Sequence, residues 1–177
     1  MTNGWDFFAQ TIITGNLVLV QGLGIYALIK YTDNVKTAAK NGLTTLVAMG
    51  IGGLLVWMFE NLMFVSLGVK TGLYLIIGVV AAFSAPRILG MRISFQENMY
   101  QSALVGSLLL LGTEGVVAAN NLSLPLGAGL GYLLTLVVMA TLRKRLELAP
   151  IPKALKGAPI ILITAGLLAI ALLGFRF

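Results

Sequence analysis

Asn41-Gly-Leu-Thr-Thr-Leu-Val-Ala-Met-Gly-Ile-Gly-Gly-Leu-Leu-Val-Trp-Met-Phe59 contains no charged residue, and its length decides the fold. A bilayer core about 30 Å thick takes roughly 20 helical residues, with a usual range of about 17 to 25. Working outward, five more uncharged runs appear: Phe7–Ile29, Thr71–Pro86, Asn98–Thr113, Gly115–Leu142 and Gly157–Phe175. The runs 71–86 and 98–113 fall slightly short of that range. In hydrocarbon every backbone polar group must be satisfied within the span. The pattern therefore predicts an all-α integral membrane protein with six transmembrane helices.

Composition points the same way. With 58% hydrophobic and 10% charged residues, the chain lacks the polar residues to cover an ordinary water-facing surface. Six spans with short loops leave no room for a soluble domain, so residues 1–177 read as one membrane domain. Met1-Thr-Asn-Gly-Trp-Asp6 lacks the basic n-region of a signal peptide, and the first run is expected to stay in the protein. The chain has no cysteine and no histidine, which removes the usual ligands of a metal, a haem or an iron–sulfur cluster. Neither metal nor cofactor is expected on this chain.

Lysine and arginine number 12 against 6 acidic residues, an excess that could be mistaken for a nucleic-acid signal. Their placement favours topology instead. The segments after runs 1, 3 and 5 hold ten of them: Lys30, Lys36, Lys40, Arg87, Arg92, Arg143, Lys144, Arg145, Lys153 and Lys156. The other side holds two, Lys70 and Arg176. Basic residues concentrate in short cytoplasmic loops, so the chain is expected in the cytoplasmic (inner) membrane with both termini extracytoplasmic. Arg143-Lys-Arg145 could also meet anionic lipid heads or dock an acidic soluble partner. Trp5, Phe7, Phe8, Trp57 and Phe59 read as interfacial aromatic anchors.

The two halves resemble each other. Run 1 contains Asn16-Leu-Val-Leu-Val-Gln21-Gly-Leu-Gly24, and run 4 contains Asn98-Met-Tyr-Gln101-Ser-Ala-Leu-Val-Gly106. A Gly-rich second span follows each, near Gly42 and near Gly127-Ala-Gly129-Leu-Gly131. Three spans per half is an odd number, so the second copy enters the membrane from the opposite side. The result is a 3+3 inverted repeat, residues 7–90 and 96–177, of the kind found in many transport proteins. Asn and Gln are costly in lipid and should face the protein interior, while glycine permits close helix approach or a break. Spans 1 and 4 are accordingly expected to be broken or half-length, with Asn16, Gln21, Asn98 and Gln101 as ion-path candidates. The competing reading makes the amides interhelical glue and the glycines packing surfaces. Glu97 and Glu114 bracket span 4; each is either a candidate ligand for an ion in transit or an ordinary boundary carboxylate.

Asn16 to Tyr26, Thr32-Asp-Asn-Val-Lys-Thr-Ala38 and Asn41-Gly-Leu-Thr-Thr45 resemble the Rnf/Nqr family of six-span membrane subunits. So do Leu142-Arg-Lys-Arg-Leu146, Pro150-Ile-Pro152, Lys156-Gly157, Ile163-Thr-Ala-Gly-Leu167 and Gly174-Phe175, which look most like the A/E-type members. The resemblance spans nearly the whole chain. It implies an inverted repeat with half-length helices in spans 1 and 4. It also implies pairing with a homologous six-span subunit inside an electron-transfer complex that moves Na⁺ or H⁺. In that family the paired subunits ligate an iron–sulfur cluster through cysteines. Here Leu23-Gly24-Ile25 is followed by Tyr26, and Ser102 fills the second position. Thiolates are the standard cluster ligands, and neither phenol nor hydroxyl is a comparable soft donor. The implied role is a non-catalytic scaffold or ion-path subunit of a membrane oxidoreductase, with flavins and clusters held by partner subunits. The alternative is a transporter or channel-like protein without redox chemistry.

Overall fold

The computed structural model of the chain describes residues 12, 16, 18–20, 22–62, 67–90 and 123–174. Five α-helices lie among them: α1 Ile25–Tyr31, α2 Val35–Leu62, α3 Leu67–Ile88, α4 Ser123–Glu147 and α5 Ala158–Leu173. A 3₁₀ turn, Lys153–Leu155, precedes α5, and no strand occurs among the described residues. Three helices are long and apolar enough to cross a membrane: Val35–Phe59 in α2, Gly68–Ile88 in α3 and Pro125–Glu147 in α4. α5 is apolar but has 16 residues, about 24 Å at 1.5 Å per residue. The fourth run, with Glu97, Asn98, Gln101, Ser102 and Glu114, lies outside the described residues, as does Gln21.

The helices extend past the uncharged runs. The run 71–86 lengthens to a helix of 22 residues by taking in Lys70 and Arg87, so its apparent shortness disappears. Arg143, Lys144 and Arg145 belong to the end of α4 rather than to a loop. There they face the negative end of the helix dipole, which favours cations. Past α4, Pro150 and Pro152 prevent continuation, and Pro159 sits in the first turn of α5, where its missing N–H costs nothing.

α2 is the central helix, packed against α4 on one side and α3 on the other. Its crossing with α4 is the most extensive contact and depends on glycine. A Cβ on Gly42 would lie 3.0 Å from the Leu133 Cα, and one on Gly129 would lie 3.0 Å from the Leu46 Cα. The two contacts are reciprocal: the sequence offset that carries Gly42 to Gly129 also carries Leu46 to Leu133. At the far end Pro125 sits so close to Gly53 that any side chain there would overlap its ring. Close backbone approach is how membrane helices gain dispersion energy, since lipid is as apolar as leucine.

The interior is correspondingly small-grained. Ala38, Ala48, Met49 and Val56 of α2 pack with Ala128, Tyr132, Leu136, Met139 and Ala140 of α4. On α3 the buried positions Tyr74, Ile77, Ala81 and Ala85 recur at helical spacing, giving one inward stripe. Its opposite side exposes Ile76 and Val80, and α5 exposes Leu167 and Ile170, as suits surfaces that meet lipid or another subunit.

Candidate functional site

The first apolar run is broken in the structure. Gly22 has φ 69° and Gly24 φ 87°, left-handed values that glycine adopts without the Cβ clash of other residues. Only then does α1 begin, and it lasts seven residues. A break frees backbone N–H and C=O groups, which a membrane interior will not solvate.

Asn16 supplies the missing partners. It is buried, and its Oδ1 accepts from the backbone N–H groups of Val18 (3.1 Å) and Leu19 (3.2 Å). The Asn16 carbonyl in turn accepts from the Val20 N–H at 2.9 Å. This is the geometry of a helix N-cap, for which asparagine is among the best residues. Nδ2 points the other way and shares its two protons among three oxygens: the carbonyl of Ile12 (3.1 Å), the carbonyl of Gly131 (3.2 Å) and Thr135 Oγ1 (2.9 Å). One amide therefore caps the turn after it, engages the carbonyl before it, and ties both to α4. Gly131 makes room for this, because a Cβ there would lie 3.2 Å from the Ile12 carbonyl oxygen and 3.4 Å from Asn16 Nδ2.

Further hydroxyls line the α2–α4 seam. Thr135 donates to the Gly131 carbonyl (2.8 Å), and Thr45 to the Asn41 carbonyl (3.0 Å). Thr44, on the other face of α2 from Gly42, donates to the Lys40 carbonyl at 2.9 Å. Tyr132 is fully buried beside Thr45, and its hydroxyl makes no hydrogen bond of normal geometry. A run of polar atoms thus crosses an otherwise apolar interior.

The far end of α1 is held by Arg143. Its Nη1 donates to the Ile29 carbonyl (3.1 Å) and to Thr32 Oγ1 (3.3 Å), and pairs with Asp33 Oδ1 at 2.5 Å. Thr32, completely buried, donates its own hydroxyl proton to the Leu28 carbonyl at 2.6 Å. The guanidinium thereby satisfies a carbonyl that the short helix leaves open, and locks α1 to α4.

Tyr26 lies on the first turn of α1 and is 45% exposed, next to exposed Ile25. Lys30 Nζ stands 5.5 Å from its ring centre and 5.7 Å from that of Tyr31, a cation–π pair of contacts. What Tyr26 offers outward is a phenol, a poor substitute for a thiolate, and the chain contains no cysteine. The donor set does not fit a thiolate-ligated iron–sulfur cluster. Among the described residues no three His, Cys, Asp or Glu side chains gather to hold a metal ion.

Of the sequence-derived candidates, the structure thus places Asn16 in a polar stitch with Gly131 and Thr135. Arg143 and Thr135 escape sequence reasoning as members of this assembly. Arg143 reads as a topology signal because Ile29, its partner, is 114 positions away. The Gly131-x-x-x-Thr135 spacing is the one available hint, since it sets a hydroxyl one turn above a bare backbone carbonyl.

Crossing apolar helices with a broken span stitched to them by buried amide and hydroxyl groups define a multi-pass helical membrane protein. A profile of the Rnf-Nqr family of membrane protein subunits matches residues 5–177, and the chain belongs to that family. Among similar proteins is the A-type subunit of the ion-translocating oxidoreductase complex of Azotobacter vinelandii (strain DJ), 31% identical across 93% of this chain and 91% of the relative. The protein of the same name from Azoarcus sp. (strain BH72) is 30% identical, covering 93% of this chain and 92% of the relative. That from Proteus mirabilis (strain HI4320) is 30% identical, with 99% and 97% covered.

Proposed function

We propose that this chain is the A-type membrane subunit of an ion-translocating oxidoreductase complex, working as scaffold and ion-path component without cluster ligands of its own. It pairs with a homologous six-span subunit, while flavins and iron–sulfur clusters reside in partner subunits. Near-full-length similarity to the A-type proteins of such complexes supports the assembly. The single observation that carries the ion-path role is the Asn16 stitch. It maintains a broken helix inside the membrane, and transporters use broken helices to bring backbone dipoles and amides to an ion.

The reciprocal Gly42–Leu133 and Gly129–Leu46 contacts support a 3+3 inverted repeat, since a pseudo-two-fold axis exchanges equivalent residues across one helix crossing. Asn98, which opens the matching Asn/Gln/Gly segment of the second repeat, is the proposed partner of Asn16, with Gln21, Gln101, Glu97 and Glu114 as further candidates along the path. Tyr26 and Ser102 stand where the family's thiolates would be and hold no cluster.

The test is Asn16→Leu against Val20→Ala, with redox turnover and ion uptake measured per correctly assembled complex in membrane vesicles. Asn16→Leu is expected to lower ion uptake per complex at least tenfold more than Val20→Ala. Equal per-complex activity would reduce the amide to packing, where interhelical hydrogen bonds average about 0.6 kcal/mol. A chain that purifies alone and moves ions without redox partners would support the transporter reading instead.

A further inference from the structure

A groove of about 290 Å³ opens where the end of α4 meets the start of α5. One wall is apolar, from Leu146, Ile151 and Ile160, and the charged rim comes from Arg143, Glu147 and Lys156. Glu147 is turned toward Arg143, its Oε1 lying 3.8 Å from Nε, and Arg143 is also paired with Asp33. Lys156 makes no ion pair among the described residues. The acidic group on the rim is therefore directed at a cation that is already engaged, and the groove keeps a net positive edge. Lys144, Arg145 and Lys153 lie on the same stretch of chain but outside the groove lining. Gly157 also lines the groove and, at φ 93°, starts α5 with no side chain capping its first turn.

The position selects the occupant. α4 from Pro125 to Glu147 is long enough to cross a bilayer, so its Arg143–Glu147 end lies at headgroup depth. Beyond the groove α5 exposes Leu162, Ile163, Leu167 and Ile170, apolar surface at the depth of acyl chains. A cationic rim with apolar surface beyond it matches an anionic amphiphile and mismatches both a free anion, which has no use for that surface, and a zwitterionic lipid.

We infer that the groove between α4 and α5 binds the phosphodiester headgroup of one anionic phospholipid, with Lys156 as the residue that selects its charge. The inference rests on the orientation expected from the basic residues, which puts this end at the cytoplasmic leaflet, where anionic lipids concentrate.

Native mass spectrometry of the intact complex, purified in mild detergent and titrated with phosphatidylglycerol or phosphatidylcholine, tests it. The wild type is expected to retain phosphatidylglycerol selectively. Lys156→Gln should weaken that retention about fivefold, the contribution of one basic residue at an anionic surface. Lys144→Gln removes the same charge outside the groove lining and should change it little. Added inorganic phosphate should not displace the lipid. Equal losses in the two variants would mean diffuse surface charge and overturn the proposal, as would displacement by phosphate. Loss of a soluble subunit from Lys156→Gln with lipid retention intact would show that the groove receives a protein instead. Lipid retention needs no turnover, so an unaffected Asn16→Leu variant would count against the ion path and leave this result standing.

Discussion

Tyr132 and Thr135 sit one turn apart on α4, both buried, and their hydroxyls have opposite fates. Thr135 Oγ1 accepts from Asn16 and donates to Gly131, whereas the Tyr132 hydroxyl has no hydrogen-bond partner of normal geometry. A buried polar group with no partner costs about 1–3 kcal/mol, while a satisfied one stabilises by about 1 kcal/mol. Tyr132→Phe keeps the ring that fills the α2–α4 crossing and deletes only the unsatisfied atom. It is expected to leave thermal stability unchanged or raise it by up to about 1 kcal/mol. Thr135→Val, nearly isosteric, should destabilise by about 1 kcal/mol because Asn16 loses an acceptor. Thermal unfolding of both variants in the same detergent checks the pair; a large loss in Tyr132→Phe would mean that the hydroxyl has a strong partner. Asn16 is legible in the sequence as a polar residue that an apolar span must justify. Its actual partners are not, because a backbone carbonyl exposed by Gly131 leaves no mark in residue chemistry.

A seven-residue helix has too few internal hydrogen bonds to persist alone. α1 survives because Gly24 starts it in a left-handed turn, Thr32 closes its last turn, and Arg143 binds across to its Ile29 carbonyl. The break itself can be read from Gly22-Leu-Gly24 inside an apolar run. The closure cannot, since it depends on a residue from another helix brought close by the α2–α4 crossing. Arg143 is the more exacting component. Its Nη1 meets a carbonyl, a hydroxyl and the Asp33 carboxylate while Nε faces Glu147, and a lysine ammonium, a single nitrogen, cannot serve both ends. Arg143→Lys preserves the charge that sets topology, so insertion should be normal. Stability should nevertheless fall by about 1–3 kcal/mol, the worth of hydrogen bonds to charged groups, and residues 25–31 should exchange amide hydrogens faster. Hydrogen-exchange mass spectrometry measures the local effect; unchanged protection in α1 would confine Arg143 to a topological role.

For the whole molecule, the fold gathers charge that the sequence scatters. α2 and α4 cross antiparallel, as Gly42–Leu133 and Leu46–Gly129 require, so the start of α2 and the end of α4 share one end of the bundle. The Arg143–Asp33 pair lies there. Lys30, Lys36, Lys40, Lys144, Arg145, Lys153 and Lys156 collect at the same end, and α3, packed back along α2, returns Arg87 to it. Lys70 starts α3 at the other end. A bilayer reads such a distribution as orientation, because basic residues next to spans are retained on the cytoplasmic side. The cysteine-free background makes the orientation measurable without further engineering. In Ala154→Cys the new thiol lies in the 3₁₀ turn between α4 and α5. It is expected to resist a membrane-impermeant maleimide in intact cells and to react once the membrane is opened. Thr2→Cys should show the reverse, labelling in intact cells. Labelling of Ala154→Cys from outside would invert the bundle. It would put the basic end, with its groove, at the outer leaflet, and the charge asymmetry would then need an explanation other than insertion.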